Sequence, residues 1–233
     1  MTIYLPAGLP AEVSAALTAV VEDHPALFTM VANEQTADVV VTFNGNPDAV
    51  LIAEWVYTLV APFPTITDEV TWQELADVWA GSASVSFAGQ PLLVSADTAT
   101  TLSAVLGSPA AEHVTIAPPD EILQMAWDAQ PSWALIPFDQ LEPRWKVLRL
   151  EGASVLDREL DTQTYALAAR VSVQGLDRGV SKLTEVLGGP LTNRDRERMS
   201  VVLLTGVTAL ARATAVRMEL HGVTYPAQDI APW

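Results

Sequence analysis

The chain has 233 residues, half of them hydrophobic and 17% charged, which excludes an intrinsically disordered polypeptide. Sixteen prolines and twelve glycines, scattered without period, exclude collagen-like and low-complexity architectures. Twelve Lys and Arg against 28 Asp and Glu give a net charge of −16. That balance argues against nucleic acid and anionic membrane surfaces as partners, since both are held by cationic side chains.

In chain order, a strand is expected at residues 2–5. A helix follows over 11–23, where Val13, Leu17, Val20 and Val21 recur at helical spacing. Short β-branched runs at 28–32 and 39–43 suit buried parallel strands, and 52–60 reads as a longer strand ending at Pro62-Phe63-Pro64. Thr71-Trp72-Gln73-Glu74 has the form of a capping box, and Gly81 ends the helix it opens. Strands are expected at 91–94, 113–116 and 133–137. Between them lie one helix opened by Ser95-Ala96-Asp97-Thr98 and closed by Gly107, and one capped by Asp120. Trp72, Trp79 and Trp127 sit at core spacing on these helices. Beyond Pro143, strands at 145–150 and 165–173 precede a helix through Val180, Leu183, Val186 and Leu187. Residues 191–198 read as a polar linker, followed by a strand at 199–204, a helix at 208–220 and a Pro-containing tail.

Charge is unevenly placed. Residues 1–143 carry 18 acidic side chains and no Lys or Arg, whereas the last 90 carry 12 basic and 10 acidic groups. Any anion held by the first 143 residues must therefore be held by backbone N–H groups, hydroxyls and helix N-termini. The absence of cysteine removes disulfides, Cys-ligated metals and thiol nucleophiles. No basic region precedes the first strand, so no signal peptide is read, and the apolar window at 49–63 is short and contains Glu54.

Phosphate-loop, dinucleotide, nucleophile-elbow and zinc-protease motifs are all missing. His24, His113 and His221 are far apart, and the adjacent carboxylates Glu22-Asp23, Asp68-Glu69 and Asp120-Glu121 suit helix ends better than acid–base catalysis. No catalytic residue, metal or cofactor is expected. What remains is polar loops at strand ends, where α/β sheets bind ligands. The candidate ligand contacts are Asn44, Asn46, Thr65, Thr67, Ser95 and Thr98.

The order of elements resembles type II periplasmic solute-binding proteins. The similarity is carried by the segment from Thr71-Trp72-Gln73-Glu74 to Gly81, and by Ser132-Trp133-Ala134-Leu135-Ile136-Pro137-Phe138. The resemblance implies an α/β, two-lobed fold with a C-terminal β-α appendage. Residues 1–62 and 143–190 would form one lobe and 63–142 the other, with crossovers near 61–67 and 143. Residues 191–233 would be a linker and a first β-α unit. Three further stretches, Thr192-Asn193-Arg194-Asp195, 201–210 and 222–227, resemble the entry to the phosphoesterase-like domain of capsule-synthesis (poly-gamma-glutamate) proteins. That family carries Gly-Asp where this chain has Gly206-Val207, so an acidic metal ligand is absent. Asp195, Glu197, Glu219, His221 and Asp229 are too scattered to replace it.

The resemblance implies an extracytoplasmic, non-catalytic domain that binds a small or extended polar ligand between two lobes and contacts a following phosphoesterase-like domain. Two alternatives stay open: a structural N-terminal region of a metal-dependent phosphoesterase-like enzyme, and a degenerate interaction module that binds nothing.

Overall fold

The computed structural model describes residues 1–43, 49–82, 90–202, 213–222 and 224–225. The chain divides into two compact units, Met1–Glu197 and Arg198–Trp233.

The first unit alternates strands and helices. Its order is β1 (Thr2–Tyr4), α1 (Ala11–Asp23), β2 (Thr29–Met30), β3 (Val39–Phe43), β4 (Val50–Pro62), β5 (Glu69–Val70), α2 (Trp72–Trp79), β6 (Leu92–Val94), α3 (Ala96–Leu106), β7 (Val114–Ile116), α4 (Ile122–Asp128) and β8 (Trp133–Pro137). Then come β9 (Trp145–Val147), β10 (Arg149–Leu150), β11 (Ala168–Gly175), α5 (Asp177–Leu187) and β12 (Leu191–Thr192). Single 3-10 turns lie at Glu34–Thr36 and Phe138–Gln140.

Local chemistry accounts for these elements. Val13, Leu17 and Val21, each four apart, form the buried stripe of α1. At the start of α2 the Thr71 hydroxyl accepts from the Glu74 N–H at 3.2 Å, and the Glu74 carboxylate accepts from the Thr71 N–H at 2.9 Å. Gly188, left-handed at φ +70, ends α5. In β8, Trp133 and Leu135 enter one apolar core, while Ala134 and Ile136 enter a second. Helices therefore cover both faces of this part of the sheet, as a period-2 strand buried on both sides requires.

Among the described residues ten strands form one sheet, eight of them along the path β2-β1-β3-β11-β4-β8-β6-β7, with β9 and β12 paired to β4 off that path. The path has two halves, because β4 changes partners along its 13 residues. Its first part, Val50 to Val56, pairs with β11; its second, Tyr57 to Val60, pairs with β8. The chain thus passes between half-sheets inside a continuous strand, at Val56–Tyr57, a few residues ahead of the crossover expected near residues 61–67. It returns between β9, on the second half-sheet, and β11, on the first.

Several boundaries differ from the sequence expectations. The expected strand at 145–150 breaks at buried Leu148, because β9 pairs with β4 and β10 pairs with β5. The strand expected at 165–173 begins at Ala168 and runs to Gly175. Helix α4 takes Glu121, not Asp120, as its cap, without a side-chain bond. The linker expected at 191–198 begins instead with β12, paired parallel to β4. Burial explains this last case: Arg194 is 6% exposed, and polar residues anchored by tertiary hydrogen bonds are indistinguishable from solvated ones in sequence.

In the second unit, α6 (Ala213–His221) overlaps the helix expected at 208–220 and ends one residue beyond it, and the His221 and Tyr225 rings stack at 4.6 Å. Residues 199–202 have no regular structure where a strand was expected, and 203–212 lie outside the described residues. No helix among the described residues is long and apolar enough to cross a membrane.

Candidate ligand-binding junction

Strand directions build the candidate site. β1 and β3 run parallel, and β3 and β4 are both antiparallel to β11, so β1, β3 and the first part of β4 point the same way. That direction leads toward the second half-sheet. β8 is antiparallel to β4, and β6 and β7 are parallel to β8, so these three point back toward the first. The carboxyl ends of both parallel sets therefore meet at the point where β4 switches partners. This is where α/β sheets present loops and helix N-termini to ligands.

Two helices start at this junction. α1 follows β1 and has no side-chain cap, so its first N–H groups keep their donor capacity. α3 follows β6 and is capped by Ser95. The two approach closely: a Cβ on Gly8, in the loop before α1, would lie 3.8 Å from the Thr100 carbonyl oxygen of α3. Tyr57, the first residue after the switch, is 2% exposed, with its hydroxyl beside buried Thr101 of α3. Burial is the main reason its phenol is pushed well above the ordinary tyrosine range. The negative fields of Glu12, Asp97 and Asp139 add to the shift, and Thr101 opposes it.

A clasp forms at the switch itself. The Asn193 carboxamide oxygen accepts from the Val56 N–H at 2.8 Å, and its nitrogen donates to the Val56 carbonyl at 2.9 Å. The same nitrogen donates to Asp139, in the turn after β8, at 3.1 Å.

Of the six expected ligand contacts, the four that are described do not lie together. Ser95 and Thr98 lie at the junction but are 6% and 1% exposed. The Ser95 hydroxyl donates to the Thr98 hydroxyl at 2.9 Å and accepts from the Thr98 N–H at 3.1 Å. This cap bond explains their hydroxyls without a ligand. Thr65 and Thr67 follow the far end of β4, about 17 Å along the strand from Tyr57. There Lys146 donates to the Thr65 carbonyl at 2.7 Å and pairs with Asp68 at 2.6 Å. Thr65 and Thr67 are thus at the wrong end of the second half-sheet to join Ser95. Asn44 and Asn46 lie outside the described residues.

Sequence reading missed Tyr57, Thr101 and Asn193. One signal was present: a strand far longer than most of its neighbours, which no partner of two to eight residues can pair along its whole length. Three cavities, of about 450, 430 and 360 Å³, are lined by other residues, including Trp145 and Arg144, Trp72 and Tyr165, and Arg170 and Arg194. Among the described residues no three His, Asp or Glu side chains are placed to hold a metal ion.

No protein-family model and no curated protein matches the sequence. Solved structures do match. An ABC-type phosphate transport receptor from Vibrio cholerae aligns with a TM-score of 0.61 at 11% identity, covering 81% of this chain and 93% of that one. A possible phosphate binding protein from Planctomyces limnophilus gives 0.61 at 12% identity, covering 81% and 86%. PstS from Borrelia burgdorferi gives 0.58 at 9%, covering 83% and 98%. At these identities the likeness defines the fold: a mixed α/β, two-lobed architecture of the periplasmic-binding-protein kind.

Proposed function

We propose that the first unit is a non-catalytic, extracytoplasmic recognition domain of the solute-binding type, holding a polar ligand between its two half-sheets. One observation carries this reading: the carboxyl ends of both parallel strand sets, with the starts of α1 and α3, meet where β4 passes between them. The fold shared with phosphate receptors supports a small-solute role.

Phosphate itself is disfavoured as the ligand. Glu12 and Asp97 occupy the first turns of α1 and α3, where an anion would have to sit, and no Lys or Arg occurs before Arg144. A neutral or cationic polar solute fits this charge better. Titration calorimetry with inorganic phosphate, a neutral sugar panel, an amine panel and a glutamate oligomer tests the reading. Binding heat with a neutral or cationic solute is expected; tight phosphate binding would overturn the charge argument.

A second reading is favoured by the burial of Tyr57, Ser95, Thr98 and Thr101. A junction packed this closely suits an interaction module that holds no solute. Absence of binding heat with every probe, and of any bound species in native mass spectrometry, would select it. Membership of a longer capsule-synthesis-type protein, with a phosphoesterase-like domain following, rests on sequence resemblance alone. Thr192, Asn193 and Arg194, part of that resemblance, are built into the first unit here.

A further inference from the structure

Residues 191–194 contact both sides of the junction in succession. Leu191 and Thr192 pair with Ala53 and Glu54, in the first half-sheet's part of β4. Asn193 then holds Val56, the last residue before the switch, and Asp139, which follows β8 of the second half-sheet. Arg194 is buried. Its guanidinium donates to the Val155 carbonyl at 2.8 Å and to the Asp157 carbonyl, and lies over the Phe138 ring at 5.7 Å from its centre. Phe138 and Asp139 are adjacent in the 3-10 turn after β8. Both contacts from the strap thus reach the same turn of the second half-sheet, while their anchors lie in the first half-sheet and the return segment.

We propose that residues 191–194 act as a strap across the junction, through Asn193 and Arg194, so that the half-sheets separate only when the contacts to Phe138 and Asp139 break. Entry of a solute between the half-sheets, as proposed above, requires them to move relative to one another, and the strap rests on that reading to this extent. The geometry is suited to a two-state device. The Val56 and Ala53 contacts lie within one half-sheet and persist during opening, whereas the Asp139 and Phe138 contacts span both and cannot. The strap leads within a few residues to Arg198, where the second unit begins.

The chain has no cysteine, so labels go only where cysteines are introduced. Gln35→Cys, in the exposed turn before β3, and Glu112→Cys, in the exposed turn before β7, mark the two half-sheets in the full chain. Distances between spin labels on these positions are measured without added solute, with the strap intact, with Asp139→Ala and with Asn193→Ala. A single narrow distance is expected for the intact strap. Asp139→Ala removes one of the two contacts between half-sheets, leaving Arg194 over Phe138, and is expected to increase a longer-distance population on the order of five-fold. Asn193→Ala, if it folds, is expected to shift the distribution further in the same direction. An unchanged distribution in Asp139→Ala, with unchanged circular dichroism, overturns the proposal whatever Asn193→Ala does. If Asp139→Ala opens the junction while calorimetry finds no solute, the strap stands and the solute-binding reading falls.

Discussion

Asn193 satisfies both backbone polar groups of Val56 with one side chain, its amide accepting the N–H at 2.8 Å and donating to the carbonyl at 2.9 Å. A carboxamide has the same donor and acceptor pair as a peptide group. Here it extends the pairing of β12 onto β4 beyond Thr192, at the residue where β4 leaves the first half-sheet.

Replacing Asn193 with Ala leaves the Val56 N–H and carbonyl without that partner. Each unmade bond to a buried group costs about 1–3 kcal/mol, so urea unfolding should show a loss in or above that range. Hydrogen exchange at the Val56 amide should accelerate more than at amides of α4. Protection of Val56 equal to that in the parent chain would refute the clasp.

Ser95→Ala should lower stability by about 1 kcal/mol, because it removes the cap of α3. The same loss is not expected for Thr100→Ala, whose exposed hydroxyl only back-bonds to the Ala96 carbonyl. Equal stability of Ser95→Ala and the parent in chemical denaturation would contradict the cap.

Gly175→Ala and Gly188→Ala separate steric clash from backbone strain. Both positions have positive φ, +130 and +70. A Cβ at Gly175 would stand 2.3 Å from the Asp38 carbonyl oxygen, whereas nothing lies within 4 Å at Gly188. Gly188→Ala should cost about 1 kcal/mol from left-handed strain alone. Gly175→Ala should cost clearly more, since the clashing atom is backbone. Melting temperatures that fall equally in the two variants would argue against the close approach of β11 to β3.

Acid should weaken the β1–β3 contact. The Asp38 carboxylate accepts from the Thr2 N–H at 2.8 Å, and this bond holds its pKa below the ordinary value of 3.8. A depressed folded pKa gives a contribution that is complete above 3.8 and lost as pH falls through the lower folded value. Asp38→Asn should therefore reduce the dependence of stability on pH below about 4. An unaltered acid slope in the variant would exclude this group.

Alkali should act through Tyr57 and Tyr165, whose phenols are both pushed up, chiefly by burial. A raised folded pKa gives stability that is complete below the ordinary value near 10 and lost as pH rises above it. Phenolate absorbance from these two should appear only together with loss of the far-ultraviolet signal. Ionisation of Tyr57 in a chain that stays folded, detected by comparison with Tyr57→Phe, would show the junction to be open to solvent.

Local sequence sufficed where local physics decides. The stripe of Val13, Leu17 and Val21, the Thr71–Glu74 box and Ser95 before α3 each act within a few residues of themselves, so α1, α2 and α3 were legible. The alternation of strands and helices, with buried β-branched runs, also determined the α/β class. Partner choice was not legible. Nothing in residues 50–62 marks Val56–Tyr57 as the place where one neighbour replaces another, because hydrophobic pattern records which side chains are buried and not against which strand. Strand direction then decided that Ser95 and Thr98 sit at the junction and Thr65 and Thr67 at the far end, although all four read alike as polar residues at strand ends. Asn193 and Arg194 show the same limit from the polar side. Their hydrogen-bonding partners lie 137 and 39 residues away, and only the folded chain brings a peptide group and a carbonyl to them instead of water.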